Sequence, residues 1–191
     1  MIDFFNYIDN KLFLFAHFLH LKYSFLDSFF ISITDIATFL PLSILSIILI
    51  INKKTRLCGL NALDSLITST IITTLILKNI VKRPRPFTND MFIYFWQEVG
   101  SVSANSFSFP SGHSSAIFAI CFTLFLYFNK KYSFVFLLIA LIISFSRVYL
   151  FVHYATDVIA GILIGIFSSL LSYTFIDKMK MKEQLEDLNI L

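Results

Sequence analysis

The stretch SRVYLFVHYATDVIAGILIGIFSSLLSYTFI, residues 146–176, places a cluster of ionisable side chains directly against a long apolar run. The cluster ends at Asp157, and the run that follows, 158–176, is close to the about 20 apolar residues that a helix needs to cross a bilayer. This pattern predicts a membrane-spanning helix whose end carries polar chemistry at the membrane surface.

The same alternation of apolar runs and polar segments continues through the rest of the chain. Four more spans are predicted at 36–51 with its flanking residues, 60–81, 112–128 and 133–150. With 57% hydrophobic and only 14% charged residues, and a mean hydropathy of +0.80, the 191-residue chain is too apolar for an ordinary soluble domain. We therefore predict an all-α integral-membrane bundle of five to six transmembrane helices, formed as a single domain over residues 1–191.

Whether five or six helices cross the membrane depends on the N-terminal segment, residues 4–20. It carries Asp9, Lys11, His17 and His20 among phenylalanines and leucines. Such a segment either lies in the interface as an amphipathic helix or crosses as a sixth span, and both alternatives stay open. It is not typical of a secretory signal, because no basic start leads into a clean apolar run with a cleavage site.

Lysine and arginine placement predicts the sidedness, because short basic loops stay in the cytoplasm. Basic residues mark two short loops and the C-terminal tail: Lys53, Lys54, Arg56, Lys130, Lys131, Lys178, Lys180 and Lys182. The other connections, which hold three polar clusters, therefore face outward. Lys82, Arg83 and Arg85 in one of them oppose this rule. Lys82 and Arg83 fit basic anchors at the lipid interface, whereas Arg85 suggests anion binding.

The first polar cluster is KNIVKRPRP, residues 78–86. Lys78 lies near the end of its predicted helix, and the prolines after Arg83 and Arg85 bias both arginines towards extended backbone. Arg85 can therefore turn back across the helix end towards Lys78. An ammonium and a forked guanidinium would together meet the oxygens of a phosphate from different sides.

The second cluster is PSGH, residues 110–113. Pro110 suits the first turn of a helix, and the residues after it offer free backbone N–H groups that attract an anion. Gly112 permits close approach, Ser111 can donate its hydroxyl, and His113 is a candidate acid for a leaving group. Taken alone, the same four residues are typical of a helix cap.

The third cluster contains Arg147, His153 and Asp157. The histidine and the acid are four residues apart, a spacing that puts both side chains on one face of a helical turn. Asp157 could hold one imidazole nitrogen so that the other presents its lone pair to phosphorus. Zinc is the main alternative, but no third ligand has a fitting spacing, and Lys78, Arg85 and Arg147 would repel a metal.

Together the three clusters resemble the signature of the type 2 phosphatidic acid phosphatase superfamily. Every signature position is present and in order: Lys78, Arg85, Pro86, Pro110, Ser111, Gly112, His113, Ser146, Arg147, His153 and Asp157. The resemblance covers about residues 78–157. The family includes membrane lipid phosphatases, bacterial undecaprenyl pyrophosphate phosphatases, lipid A phosphatases, glucose 6-phosphatase and soluble vanadium haloperoxidases.

The resemblance implies a role for each residue. His153 attacks phosphorus and becomes phosphorylated, His113 protonates the departing oxygen and later activates water, and Asp157 steadies His153. The phosphoryl oxygens are held by Lys78, Arg85, Ser111, the Gly112 amide and Arg147. No metal or organic cofactor is expected.

The function predicted on this basis is hydrolysis of a lipid phosphate or diphosphate at the outer face of the bacterial plasma (inner) membrane. Undecaprenyl diphosphate is the lead substrate, because the chain is short and its site faces outward as in compact bacterial members. The alternatives are phosphatidylglycerol phosphate, phosphatidic acid or lipid A as substrate, a lipid phosphotransferase, and a non-enzymatic lipid-binding membrane protein. Nucleic acid is not an expected partner, because the net charge of +3 comes without a clustered basic face. The sequence predicts no oligomeric state.

Overall fold

The structure, a computed structural model, describes residues 2–187, with side chains at 5–90 and 92–176. All regular structure in these residues is helical. The helices are α1 (Ile2–Lys22), α2 (Phe25–Thr34), α3 (Phe39–Ile51), α4 (Arg56–Thr70), α5 (Lys78–Val81), α6 (Asp90–Glu98), α7 (Gly112–Tyr127), α8 (Lys130–Tyr149) and α9 (Ala155–Asp187). A π-helical segment, Ile71–Leu77, joins α4 to α5 end to end.

Length and composition identify the membrane-spanning helices. Among the described residues three qualify, namely Arg56–Thr88, Lys130–Tyr149 and Ala155–Ile176. The pair Phe25–Ala37 and Phe39–Ile51, bent by 57°, forms a fourth if it counts as one span. The predicted class, an integral-membrane helical bundle, is thus confirmed, whereas the predicted number of five to six spans is not.

The difference in number arises chiefly at α7. This helix occupies the predicted position, but its 16 residues fall short of the about 20 that cross a bilayer. It is also the helix at the centre of the bundle, packed against α4, α8 and α9. The first span also differs from its predicted position. It includes α2, which precedes the predicted start, and its helix is interrupted at Thr38, where the backbone is extended.

The core depends on a close approach between α7 and α9. A Cβ atom added at Gly161 would lie 2.5 Å from the carbonyl oxygen of Ser111, and one at Gly165 would lie 2.5 Å from that of Ser115. Only glycine lets two backbones come this near. The backbone N–H of Ser111 donates to the carbonyl oxygen of Asp157 at 3.0 Å, so the same approach joins the second polar cluster to the third.

Helices α1 and α6 pack together over the end of the bundle that carries the polar clusters, which we call the cluster end. Phe13 of α1 has its ring centroid 4.7 Å from that of Phe92 in α6 and 5.1 Å from that of Phe151. These rings belong to an apolar core that also contains Val99, Tyr149 and Val152.

Polar contacts show that α1 runs along the cluster end. Asp9 accepts the backbone N–H of Thr156 at 2.9 Å, and His17 Nδ1 lies 3.7 Å from a carboxylate oxygen of Glu98. These two α1 residues are about 12 Å apart along the helix axis at 1.5 Å per residue, yet both contact the cluster end. By length and composition α1 is not among the candidate spans of the described residues, and both alternatives for this segment stay predictions.

We predict that Gly161→Ala destabilises the protein by about 1–3 kcal/mol, because the new methyl group would overlap backbone atoms of α7 that cannot move aside cheaply. Thermal unfolding in detergent, followed by circular dichroism, measures the loss. The matched control is Leu170→Phe, which enlarges an exposed side chain on the same helix and should leave the midpoint unchanged. An unchanged midpoint for Gly161→Ala would show that the two helices do not pack at this distance.

Candidate active site

The three polar clusters meet around a cavity of about 290 Å³ at the cluster end. Predicted site residues that line it are Lys78, Arg85, Gly112, His113, Arg147 and His153. The remaining two, Ser111 and Asp157, are fully buried behind its wall. The structure therefore brings the two histidines, which are far apart in sequence, to one cavity.

Lys78 and Arg85 are held by the loop that precedes α7. Lys78 Nζ donates to the hydroxyl of Ser106 at 2.9 Å and to the carbonyl of Phe107 at 2.7 Å. Arg85 Nε donates to the carbonyl of Ser106 at 2.6 Å, and its Nη1 donates to that of Val152 at 2.7 Å. Both cations are only 6% exposed, so the protein itself fixes their positions.

Arg147 is the third cation of the cavity. Its Nη1 donates to the hydroxyl of Thr34, whereas its buried Nε has no hydrogen-bond partner among the described residues. An orphaned buried donor costs about 1–3 kcal/mol, a cost that an anion in the cavity would remove. None of the described residues that line the cavity is acidic, so its charge is suited to an anion.

The contacts of His153 fix its tautomer. Its Nε2 lies 3.2 Å from Arg85 Nη1. Because a guanidinium can only donate, Nε2 must be the acceptor, and the ring proton of the neutral imidazole is on Nδ1. Nδ1 lies 3.5 Å from Asp157 Oδ2 and 3.5 Å from Ser108 Oγ. The lone pair of Nε2 therefore faces the cations, and the N–H faces the acid.

The surroundings of His153 keep the imidazole neutral. Burial lowers the pKa of His153 well below its usual value, and the nearby charges of Arg85, Arg147 and Lys78 lower this pKa further. A histidine with a depressed pKa keeps its lone pair at neutral pH, which is the state that a nucleophile needs.

Asp157 is surrounded by donors. Its Oδ2 accepts the hydroxyl of Ser108 at 2.5 Å and the N–H of Tyr154 at 3.0 Å, and its Oδ1 accepts Arg83 Nη1 at 2.6 Å. Ser108 was not predicted, because it is one of several serines in the segment SVSANSFSF and no spacing distinguishes it. The interpretation of Arg83 as a lipid anchor is wrong, since this side chain lies between carboxylates, whereas Lys82 is exposed.

Ser111 acts as the cap of α7. Its Oγ accepts the hydroxyl of Ser114 at 2.9 Å and lies 3.4 Å from the Ser114 backbone nitrogen. The helix-cap alternative thus describes what the hydroxyl does in the structure, and its donation to a substrate stays a prediction. Gly112 and His113, the first residues of α7, line the cavity and are partly buried.

The opposite wall of the cavity was not predicted. It comes from the π-helical segment and the bend before α3, and it consists of Ala37, Thr38, Phe39, Thr70, Thr73 and Thr74. Phe39 is 48% exposed and is followed by the still more exposed Leu40, in the bent helix pair that forms a candidate span. The cavity therefore adjoins exposed apolar surface of a candidate span.

This arrangement defines a class, that of helical membrane proteins with a cavity lined by two histidines and three cations. The family model that describes the PAP2 superfamily matches residues 59–180, which is more than half of the chain. The chain therefore belongs to the PAP2 superfamily, and it is an integral membrane protein.

Relatives and a solved structure agree with this assignment. A lipid A 4'-phosphatase of Bacteroides thetaiotaomicron is 31% identical over 96% of this chain and 84% of its own length. An undecaprenyl-diphosphatase of Sulfolobus acidocaldarius is 31% identical over 65% of this chain, and the match spans 58% of that protein. The crystal structure of a transmembrane PAP2-type phosphatidylglycerolphosphate phosphatase from Bacillus subtilis superimposes with a TM-score of 0.69. That match has 27% identity and covers 91% of this chain and 86% of the other.

The depressed pKa of His153 predicts a pH dependence of stability. Below pH 6.5 His153 becomes protonated in the unfolded chain but stays neutral in the folded protein, where its pKa is lower. The free energy of unfolding therefore falls as the pH falls. Between pH 7.5 and 5.5 this group alone should cost about 1.4 kcal/mol. The free energy of unfolding, measured by reversible unfolding in micelles, should fall between pH 7.5 and pH 5.5 by about 1.4 kcal/mol less in His153→Gln than in the native protein. Parallel profiles for the two proteins would refute the shift.

Proposed function

We propose that this protein is an integral-membrane phosphatase that hydrolyses a lipid phosphate or diphosphate through a phosphohistidine at His153. The observation that carries the proposal is the position of His153 Nε2, whose lone pair is directed at Arg85 in a cavity lined also by Lys78 and Arg147. A phosphorus atom whose oxygens bind these cations would lie within reach of that lone pair.

In the first step Nε2 of His153 attacks phosphorus, the N–P bond forms, and the bond from phosphorus to the leaving oxygen breaks. His113, across the cavity, supplies the proton to that oxygen. Arg85, which donates to Nε2 in the structure, transfers its hydrogen bond to a phosphoryl oxygen. Positive groups fixed where negative charge develops usually contribute more to this kind of catalysis than any other effect.

In the second step water attacks the phosphohistidine, with His113 now accepting the proton, and inorganic phosphate leaves. We propose that no metal takes part, since the lining cations would repel one. No group of three or more His, Cys, Asp or Glu side chains suited to a metal occurs among the described residues. Delivery of the phosphoryl group to another acceptor would make the protein a phosphotransferase.

The substrate is proposed to be a lipid, because the cavity adjoins exposed apolar surface of a candidate span at Phe39. A diphosphate is favoured over a monoester, since the cavity offers three cations without a lining carboxylate and a diphosphate carries more charge to match them. Undecaprenyl diphosphate remains the lead, supported by the diphosphatase among the relatives. Lipid A and phosphatidylglycerol phosphate are alternatives that the other relatives' names support. The site is proposed to face outward from the plasma (inner) membrane.

We predict that His153→Ala abolishes phosphate release while the protein remains folded in the membrane, because the variant lacks the imidazole that forms the N–P bond in the proposed mechanism. Phosphate release by purified protein measures the effect, and size-exclusion chromatography in detergent confirms folding. Near-normal turnover in this variant would falsify the proposed chemistry.

The matched control replaces Lys53 and Lys54 by glutamine. Both are exposed in the short turn between α3 and α4, so activity should stay near that of the native protein. A loss as deep as that of His153→Ala would undermine the assignment of this turn to the face opposite the site.

A substrate panel separates the remaining alternatives. Purified protein is given undecaprenyl diphosphate, phosphatidylglycerol phosphate, phosphatidic acid and lipid A, each labelled in the phosphate. We expect free labelled phosphate, released fastest from the diphosphate, with undiminished release in EDTA. Label recovered in a second lipid or a sugar would indicate a phosphotransferase, and the absence of release from all four would favour a lipid-binding protein.

A further inference from the structure

We infer that Asp9 of α1 and Arg83 are positioning residues that set the orientation of Asp157 and, through it, of His153. The inference rests on the proposed phosphohistidine chemistry for its kinetic consequence. Neither residue belongs to the three-part signature, and Arg83 does not line the cavity among its described residues. Both would act on the reaction without touching the substrate.

Arg83 bridges two carboxylates that come from opposite ends of the chain. Its Nη1 donates to Asp157 Oδ1 at 2.6 Å, and its Nη2 donates to Asp9 Oδ2 at 2.9 Å. The ring of Tyr154 stacks on the guanidinium, with Arg83 Cζ 3.7 Å from the ring centroid. A planar fork with donors in fixed directions suits this bridge, whereas the compact ammonium of a lysine would not.

Asp9 holds the same region from the other side. Its Oδ1 accepts the backbone N–H of Thr156 at 2.9 Å, and its Oδ2 accepts the Thr156 hydroxyl at 3.0 Å. Thr156 lies in the first turn of α9, where backbone N–H groups lack partners within the helix. Asp9 therefore caps α9 from another helix and fixes the backbone immediately before Asp157. At 2% exposure Asp9 is buried, whereas Thr156 and Arg83, which it holds, are partly exposed.

These contacts decide which oxygen of Asp157 faces His153. With Oδ1 bound to Arg83, Oδ2 is left for Ser108, the Tyr154 N–H and the imidazole. Without Arg83 the carboxyl group could rotate about its last bond. Two buried acids, Asp9 and Asp157, would also lose their shared positive partner. Arg85 fixes the tautomer of His153 at Nε2, whereas the environment of the Nδ1–H depends on Oδ2 and Ser108 staying in place.

The alternative is that the bridge only fastens α1 to the bundle. In that case removing it would lower stability, but each folded molecule would react at the native rate. A positioning role instead lowers kcat and leaves KM unchanged, since substrate contacts are intact. Loss of a group that orients a reacting residue typically costs about 10- to 100-fold.

The kinetic test compares Arg83→Gln and Asp9→Asn with the native protein, with rates expressed per folded molecule. We expect kcat to fall about 10- to 100-fold in each with KM within about twofold, by analogy with residues that orient other reacting groups. The loss in the double variant should be smaller than the product of the two single losses, because both residues act on the same group, Asp157. The matched control is Lys82→Asn, which removes the neighbouring exposed cation and should leave both constants unchanged.

Three outcomes of this test would overturn the inference. Native kcat in folded Arg83→Gln would reduce the bridge to an anchor. A raised KM at constant kcat would make Arg83 a substrate ligand. If the fold-losses of kcat in the two single variants multiply in the double variant, Asp9 and Arg83 act independently and not on one shared group. If Arg83→Gln fails to fold, Asp9→Asn, which keeps the shape of the side chain, gives the test: native kcat in the folded Asp9→Asn protein would reduce the bridge to an anchor.

A spectroscopic test does not depend on activity, so its failure is distinct from that of the proposed function. Long-range ¹H–¹⁵N spectra report the tautomer of each histidine ring, and His153→Gln assigns the signal of His153. We expect a single tautomer with the proton on Nδ1 in the native protein and in Lys82→Asn. Arg83→Gln and Asp9→Asn should keep that tautomer, because Arg85 still donates to Nε2, but the Nδ1 signal should shift or broaden, because its acceptor is no longer held in one orientation. An unchanged His153 signal in both variants would contradict the inference even if no lipid is hydrolysed.

Discussion

The hydrogen bonds of Asp157 are the interaction on which the rest of the site depends. Its carboxylate accepts hydrogen bonds from Arg83 of the first cluster and from Ser108 in the loop before the second cluster. The same carboxylate faces His153, which belongs with Asp157 to the third cluster. The backbone carbonyl of Asp157 accepts the N–H of Ser111. One residue thus joins all three clusters. The glycine-mediated contact of α7 with α9 brings that residue close enough to do so.

Electrostatics explains why the cavity is suited to a phosphate. Among the described residues Lys78 and Arg85 form no ion pair: both donate to the loop before α7, and Arg85 also donates to the carbonyl of Val152. Arg147 keeps an Nε without a partner among the described residues. The carboxylate of Asp157 lies on the Nδ1 side of His153 and is shared with Arg83. Positive charge therefore accumulates on the cavity side of the imidazole and negative charge on the other. That asymmetry keeps His153 neutral and directs its lone pair to where an anion would bind.

The sequence predicted the parts of the structure that have a regular signal. Apolar runs of span length located α4, α8 and α9, and the four-residue spacing predicted the proximity of His153 and Asp157, whose side chains lie 3.5 Å apart. The number of spans was not predictable in this way, because α7 is short and central and the first span is broken at Thr38. Ser108 and the threonines of the π-helical segment reach the site through tertiary packing, which leaves no spacing pattern. In the sequence, Asp9 is only one polar residue of an amphipathic segment, and Arg83 fits a basic anchor at the lipid interface. Nothing in their spacing indicates that the two side chains form an ion pair.

The central claim is that phosphorus becomes bonded to His153 during turnover. The most direct measurement is rapid quenching of the protein with a ³²P-labelled lipid diphosphate, followed by alkaline digestion and mass spectrometry of the peptides. We expect a base-stable, acid-labile phosphoryl group on Nε2 of His153, absent from His153→Ala. Label on another residue, or phosphate release with no labelled protein at any time, would contradict this claim.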